Sequence, residues 1–125
     1  MKNLKINQFD ENEEEIVDTL ISLGMSRPAA RMLAFIQRMK EATSVELEMG
    51  TNLRQPKVSI AAKQLAELDW INEREEKKQG KGRPFKVYSL KVGFKDIITQ
   101  LEKQQRKKVE EGQAKIERLK ELGKK

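Results

Sequence analysis

Ten residues from Lys77 to Lys86 read KKQGKGRPFK, with five cations and no acid. Two glycines and a proline in so short a run favour a turn, and cations gathered on a turn suit phosphate oxygens. A second polar group stands upstream at Gln55, Lys57, Ser59 and Lys63, spaced to lie on the outside of one helix. Both groups offer hydrogen bonds and charge rather than bond-making. The chain contains no His and no Cys, which removes imidazole bases, thiolates, disulfides and Cys/His metal sites. Only carboxylate, Lys or Ser/Lys chemistry is left, and no G-x-x-x-x-G-K-[ST] phosphate loop is present. The expectation is a binding protein with no catalytic residue, no metal and no cofactor.

The positive charge is unevenly distributed along the 125 residues, whose formal net charge is +6. Residues 1–25 hold two Lys against six Asp/Glu, residues 26–90 hold 13 basic against 8 acidic groups, and residues 91–125 hold 11 against 6. A basic loop beside a mixed helical surface is the electrostatic pattern of a polyanion binder, although a lysine-rich solvated surface reads the same way. Mean hydropathy is −0.76. No run approaches the roughly 20 apolar residues of a membrane span, and the opening MKNLKINQFDENEEE lacks the apolar stretch of a signal peptide. A cytoplasmic, nucleoid-associated protein is expected.

Helical spacing runs from Asp10 to Leu23 through Ile16, Val17, Leu20 and Ile21, with acids in the first turn and Gly24 as a left-handed stop. Ser26 caps a second helix reaching Met39, with Pro28 near its start and Ala30, Leu33, Ala34 and Ile36 on its apolar face. Thr43 or Ser44 caps a short third helix, Val45 to Met49, with Glu46 or Glu48 completing a capping box and Gly50 ending it. After the turn Thr51–Arg54, a fourth helix begins at Gln55 and buries Val58, Ala61, Ala62, Leu65 and Leu68. The period then changes. Trp70–Ile71 opens a strand towards Glu76, and Pro84 to Leu90 makes a second, with Val87 and Leu90 or Phe85 and Tyr88 on alternating faces. Gln79–Arg83 forms the hairpin tip between them.

From Val92 the pattern is helical to about Leu122, a length of roughly 45 Å. Its apolar positions include Phe94, Ile97, Ile98, Leu101, Val109, Ile116 and Leu119. A lone helix with so thin a stripe is marginal in water, so a second copy is expected to cover these residues as a dimerisation seam. Folding back on its own domain is the alternative. The expected organisation is a tail at 1–9, a domain at 10–92 and a coiled-coil-like helix at 93–125.

A short helix, a tight turn and a helix with a polar outer face make a helix-turn-helix, and a basic hairpin straight after it adds a wing. The expected fold is mainly α with a β-hairpin wing (α+β), a winged helix-turn-helix with a long C-terminal dimerisation helix. The stretch SVELEMGTNLRQPKVSIAAKQLAELDWINEREEKKQGKGRPFKVYSL resembles the winged helix-turn-helix of small prokaryotic transcription regulators of the MarR, TrmB and ArsR-like type. LGMSRPAARMLAFI is similar to the preceding helix of the TrmB group and its archaeal relatives. VSIAAKQLAELDWI resembles the opening and closing of their recognition helices, and GKGRPFKVYSL their wings. The sequence departs from the pattern at Ile60, where a polar residue is common, and at Asp69, where Gly is usual.

The resemblance implies a homodimer that binds double-stranded DNA at a pseudo-palindromic operator, one recognition helix in each of two successive major grooves. Gln55, Lys57, Ser59, Ile60 and Lys63 are the expected base-edge residues, with Ile60 against a thymine methyl. Arg54, the Pro56 turn and Thr51 are assigned to phosphates. Lys81 and Arg83, then Lys78 and Lys86, are the expected wing contacts, while Trp70, Phe85 and Tyr88 pack the wing. A non-specific architectural DNA-binding protein and a winged-helix module for a protein or RNA partner are the alternatives. No residue pattern marks a pocket for a small-molecule effector.

Overall fold

A computed structural model describes residues 10–77 and 84–124. The chain divides into two compact units, residues 1–92 and residues 93–125. In the first, α1 (Glu11–Ser22) is followed by α2 (Arg27–Met39), β1 (Glu41–Thr43), α3 (Ser44–Thr51), α4 (Gln55–Glu67), β2 (Ile71–Glu76) and β3 (Phe85–Leu90). The second is a single helix, α5 (Phe94–Gly123). No helix among the described residues is long and apolar enough to cross a membrane.

Helix starts follow side chains that satisfy otherwise orphaned backbone N–H groups. Asp10 and Glu13 form a reciprocal capping box on α1: Glu13 N donates to Asp10 Oδ1 at 2.8 Å, and Asp10 N donates to Glu13 Oε1 at 3.1 Å. Thr43 and Glu46 repeat the arrangement on α3, at 2.9 and 3.1 Å. Ser26 caps α2, whose Ala29 N donates to its Oγ, with Pro in the first turn. Each such cap contributes about 0.5–2 kcal/mol.

α2 is the central helix. Ala29, Ala30, Met32, Leu33, Ala34, Phe35 and Ile36 are all buried, and α1, α3, α4 and the sheet pack around it. Burial over nearly the whole circumference explains why a one-face stripe understates its core contribution. The charged residues of α2 leave by the ends of the packed surface. Arg31 Nε donates to the Thr51 carbonyl oxygen at 2.9 Å, and Arg38 pairs with Glu13 while its guanidinium lies 5.5 Å from the Phe35 ring centroid.

The sheet has three antiparallel strands in the order β1-β3-β2. β1 was not expected from sequence: three residues, Glu-Ala-Thr, are too short to show a period. It pairs Glu41 with Ser89, Ala42 with Tyr88 and Thr43 with Val87. This makes β3 the central strand, and the expected alternation on it does not appear, because consecutive Val87 and Tyr88 are both buried. Tyr88 shares a face with Ala42 and Ile71, also buried; Val87 shares the other with Thr43 and Arg74.

Two further positions, Gly50 and Leu68, differ from expectation, and Asp69 does not. Gly50 does not end α3; it is buried within the helix, which runs on to Thr51 and stops where Asn52 turns left-handed at φ 60°, ψ 29°. Leu68 is not on the buried face of α4 but is 41% exposed, since it lies beyond the last helical turn at the C-cap. Asp69 takes the left-handed turn, φ 66°, and its carboxylate accepts from Lys91 Nζ at 2.6 Å.

Candidate nucleic-acid interface

α4 is amphipathic in the sense that such an interface needs. Val58, Ala61, Ala62 and Leu65 are buried, which turns Gln55, Lys57, Ser59, Ile60, Lys63, Gln64 and Glu67 outward. Arg54 is the N-cap residue and is exposed, with no side-chain capping bond. The first N–H groups of α4 and three cations, Arg54, Lys57 and Lys63, therefore stand at one solvent-facing surface, where the helix dipole also favours an anion. Among the described residues, none brings a carboxylate within ion-pair distance of these three cations.

Two polar contacts organise the same face. Gln55 Nε2 donates to Ser59 Oγ at 3.4 Å, one helical turn apart. Ser26 Oγ donates to Gln64 Oε1 at 2.7 Å, tying the start of α2 to the last turn of α4. Ile60 is 53% exposed in the middle of this polar surface. Arg31 fixes the turn from behind through the Thr51 carbonyl and also lies 3.8 Å from Glu14 of α1. Thr51, expected at phosphates, is fully buried, and its hydroxyl donates back to the Leu47 carbonyl. It is a core residue of α3, because that helix runs two residues past Met49.

The stem of the hairpin is less basic than its tip sequence. β2 carries Glu73, Glu75 and Glu76 beside Arg74. Lys86 Nζ lies 3.4 Å from Glu73 Oε2, and the charge of that carboxylate, followed by its hydrogen bond, raises the Lys86 pKa. Lys86 is thus a cross-strand partner in this structure. Arg74, which sequence reasoning passed over, spans the sheet: Nη1 is 3.2 Å from Glu41 Oε2, and Nε donates to Glu76 Oε2 at 2.8 Å. Those two hydrogen bonds, Glu41 first, hold its pKa above the ordinary value. The expected wing residues Lys78, Lys81 and Arg83, and the tip Gln79–Arg83 as a whole, lie outside the described residues.

Val45 and Met49 were also passed over. One turn apart on α3, they are 58% and 51% exposed. On α5, Ile97 is fully buried, Phe94 and Leu101 are half-buried, and Ile98, Val109, Ile116 and Leu119 are exposed. No group of three or more carboxylates that could hold a metal ion occurs among the described residues.

A short helix, a left-handed turn at Asn52, a helix with a cationic outer face and an antiparallel hairpin define a winged helix-turn-helix. Residues 23–82 match the family model described as MarR family. Over these residues the chain is similar to that family, whose members are DNA-binding transcription regulators, and its own fold is a winged helix-turn-helix. No curated protein matches the chain.

Proposed function

We propose that the protein is a sequence-specific regulator that binds double-stranded DNA as a homodimer. α4 enters the major groove, Gln55, Lys57, Ser59, Ile60 and Lys63 meet base edges, and Arg54 holds a phosphate. The hairpin reaches the backbone or minor groove through Lys78, Lys81 and Arg83, with Lys86 behind them. The second copy pairs through α5, so that two copies of α4 face half-sites about one helical turn apart. The observation that carries this reading is the α4 surface itself, where three cations with no ion-pair partner among the described residues flank polar side chains of base-reading type.

Selection of bound duplexes from a random-sequence library, with the salt dependence of the winners, tests the proposal. The expected result is an inverted-repeat motif and a log–log salt slope of about −0.9 per phosphate contact. Tight binding without a motif moves the reading to an architectural protein. Absence of binding at low salt overturns it in favour of a protein partner.

A further inference from the structure

Ile60 is 53% exposed, and among the α4 residues Gln55–Glu67 it is the one large aliphatic side chain at the surface. Val58, Ala61, Ala62 and Leu65 define the buried stripe of that helix. At 3.6 residues per turn, Ile60 points within about 30° of directly away from the stripe. Its neighbours one turn before and after, Pro56, Lys57, Lys63 and Gln64, are all exposed. Ile60 therefore stands on the outermost line of the helix, an apolar side chain in a polar surface.

A scattered apolar residue at a surface is ordinary, and one isoleucine ringed by polar groups is far from the apolar centre of a protein–protein interface. What sets Ile60 apart is its place. A helix that enters the major groove brings its outermost side chains nearest to the base edges. Those edges carry acceptors at N7, O6 and O4, amines at N4 and N6, and one apolar substituent, the methyl on C5 of thymine. Resting on the reading of α4 given above, we propose that Ile60 detects pyrimidine C5 methyl groups. One pyrimidine in each half-site carries the methyl for full affinity, and C5 methylation of a cytosine at that place strengthens binding.

The hydrogen-bonding side chains cannot supply this selectivity. Thymine and uracil present the same O4 acceptor, and cytosine and 5-methylcytosine the same N4 amine. Gln55 and Ser59, which donate and accept, meet identical partners within each pair. So do Lys57 and Lys63, which only donate. Apolar contact alone separates the members of a pair, and Ile60 is the large aliphatic side chain that α4 exposes. The Pro56 ring, one turn earlier, is the other apolar group on this face.

Duplexes carrying the motif recovered by selection are the probe. Each thymine in turn is replaced by deoxyuridine, and binding of the full-length protein is followed by fluorescence anisotropy. One thymine in each half-site is expected to lose about fourfold, the amount for one buried methyl, and both together about fifteenfold. Ile60→Ala is expected to bind the thymine and deoxyuridine forms alike, and Ile60→Val to keep the difference. With a cytosine–guanine pair at the same place, C5 methylation should strengthen binding by a similar factor in the unaltered protein and not in Ile60→Ala. Deoxyuridine without effect at every thymine overturns the proposal, as does a difference that survives in Ile60→Ala or a cytosine methyl that changes nothing. Equal thermal midpoints for Ile60→Ala and the unaltered protein exclude misfolding as the cause of a lost difference. A selection that yields no motif removes the sequence-specific reading and this inference with it, whereas a clear motif indifferent to C5 methyls removes the inference alone.

Discussion

Arg38, in the last turn of α2, donates from Nε to Oε2 of Glu13 in the first turn of α1. Glu13 is 3% exposed, and its other oxygen closes the α1 capping box by accepting from Asp10 N. One carboxylate therefore both starts a helix and pins it to the central helix of the domain. Removing one partner of a buried pair leaves an uncompensated charge. Arg38→Ala is expected to destabilise the domain by about 1–3 kcal/mol, below the fully buried range because water reaches the 27% exposed arginine side chain. Glu13→Ala should lose more than Glu13→Gln, whose amide oxygen can still accept from Asp10. Urea unfolding of the three variants checks the order.

Lys40 holds φ 74° and ψ −40° at the end of α2, outside the usual left-handed well. Its N–H donates to the Ile36 carbonyl at 2.7 Å, and its side chain is exposed. A lysine pays conformational energy there that a glycine does not. Lys40→Gly is expected to stabilise by about 0.5–1.5 kcal/mol after the added freedom of the unfolded chain is subtracted. A fall in the thermal midpoint would refute the strain argument.

Tyr88 titrates above the ordinary phenol value, first because it is buried and then because Glu73 is near, with Lys86 acting in the opposite sense. The folded state holds the phenol proton more tightly than the unfolded state. Its contribution is complete below the unfolded value, near 10 on the usual scale, and is lost as pH rises through the folded value. Relative to Tyr88→Phe, the unaltered protein should lose stability as pH rises beyond about 10. Denaturation curves for both proteins at pH 8 to about 11 supply the comparison.

On DNA, the proposed roles separate by salt and by sequence. Lys81→Ala with Arg83→Ala should weaken all duplexes by a similar factor and flatten the log–log salt slope by about 2. Gln55→Ala or Ser59→Ala should change the preferred sequence while leaving the slope nearly unchanged. If the wing pair alters preference and the α4 variants do not, the roles are reversed.

Much of the helical frame was legible because its signals are local. Asp10, Ser26 and Thr43 mark helix starts by side-chain chemistry alone, and the Asp69 turn follows from a short polar residue between helix and strand. What escaped depends on partners distant in sequence. β1 exists only because β3 offers it hydrogen bonds, and Val87 is buried only because a central strand is covered on both faces. Gly50 looked like a helix stop, yet it is buried inside the helix. At the interface, the outward set on α4 followed from the spacing of Val58, Ala61, Ala62 and Leu65. The pairing of Lys86 with Glu73 was hidden, since charge counted along the chain ignores the strand opposite.

The 3.4 Å contact between Gln55 and Ser59 bears on how such a surface would search a genome. Two side chains that the proposed reading assigns to bases are hydrogen-bonded to each other. On the proposed reading, Arg54 would hold a phosphate of an arbitrary duplex while that contact stays closed. Bases that offer both residues better partners would, on the same reading, take over from this exposed contact, so holding and reading would be separate events on the same helix.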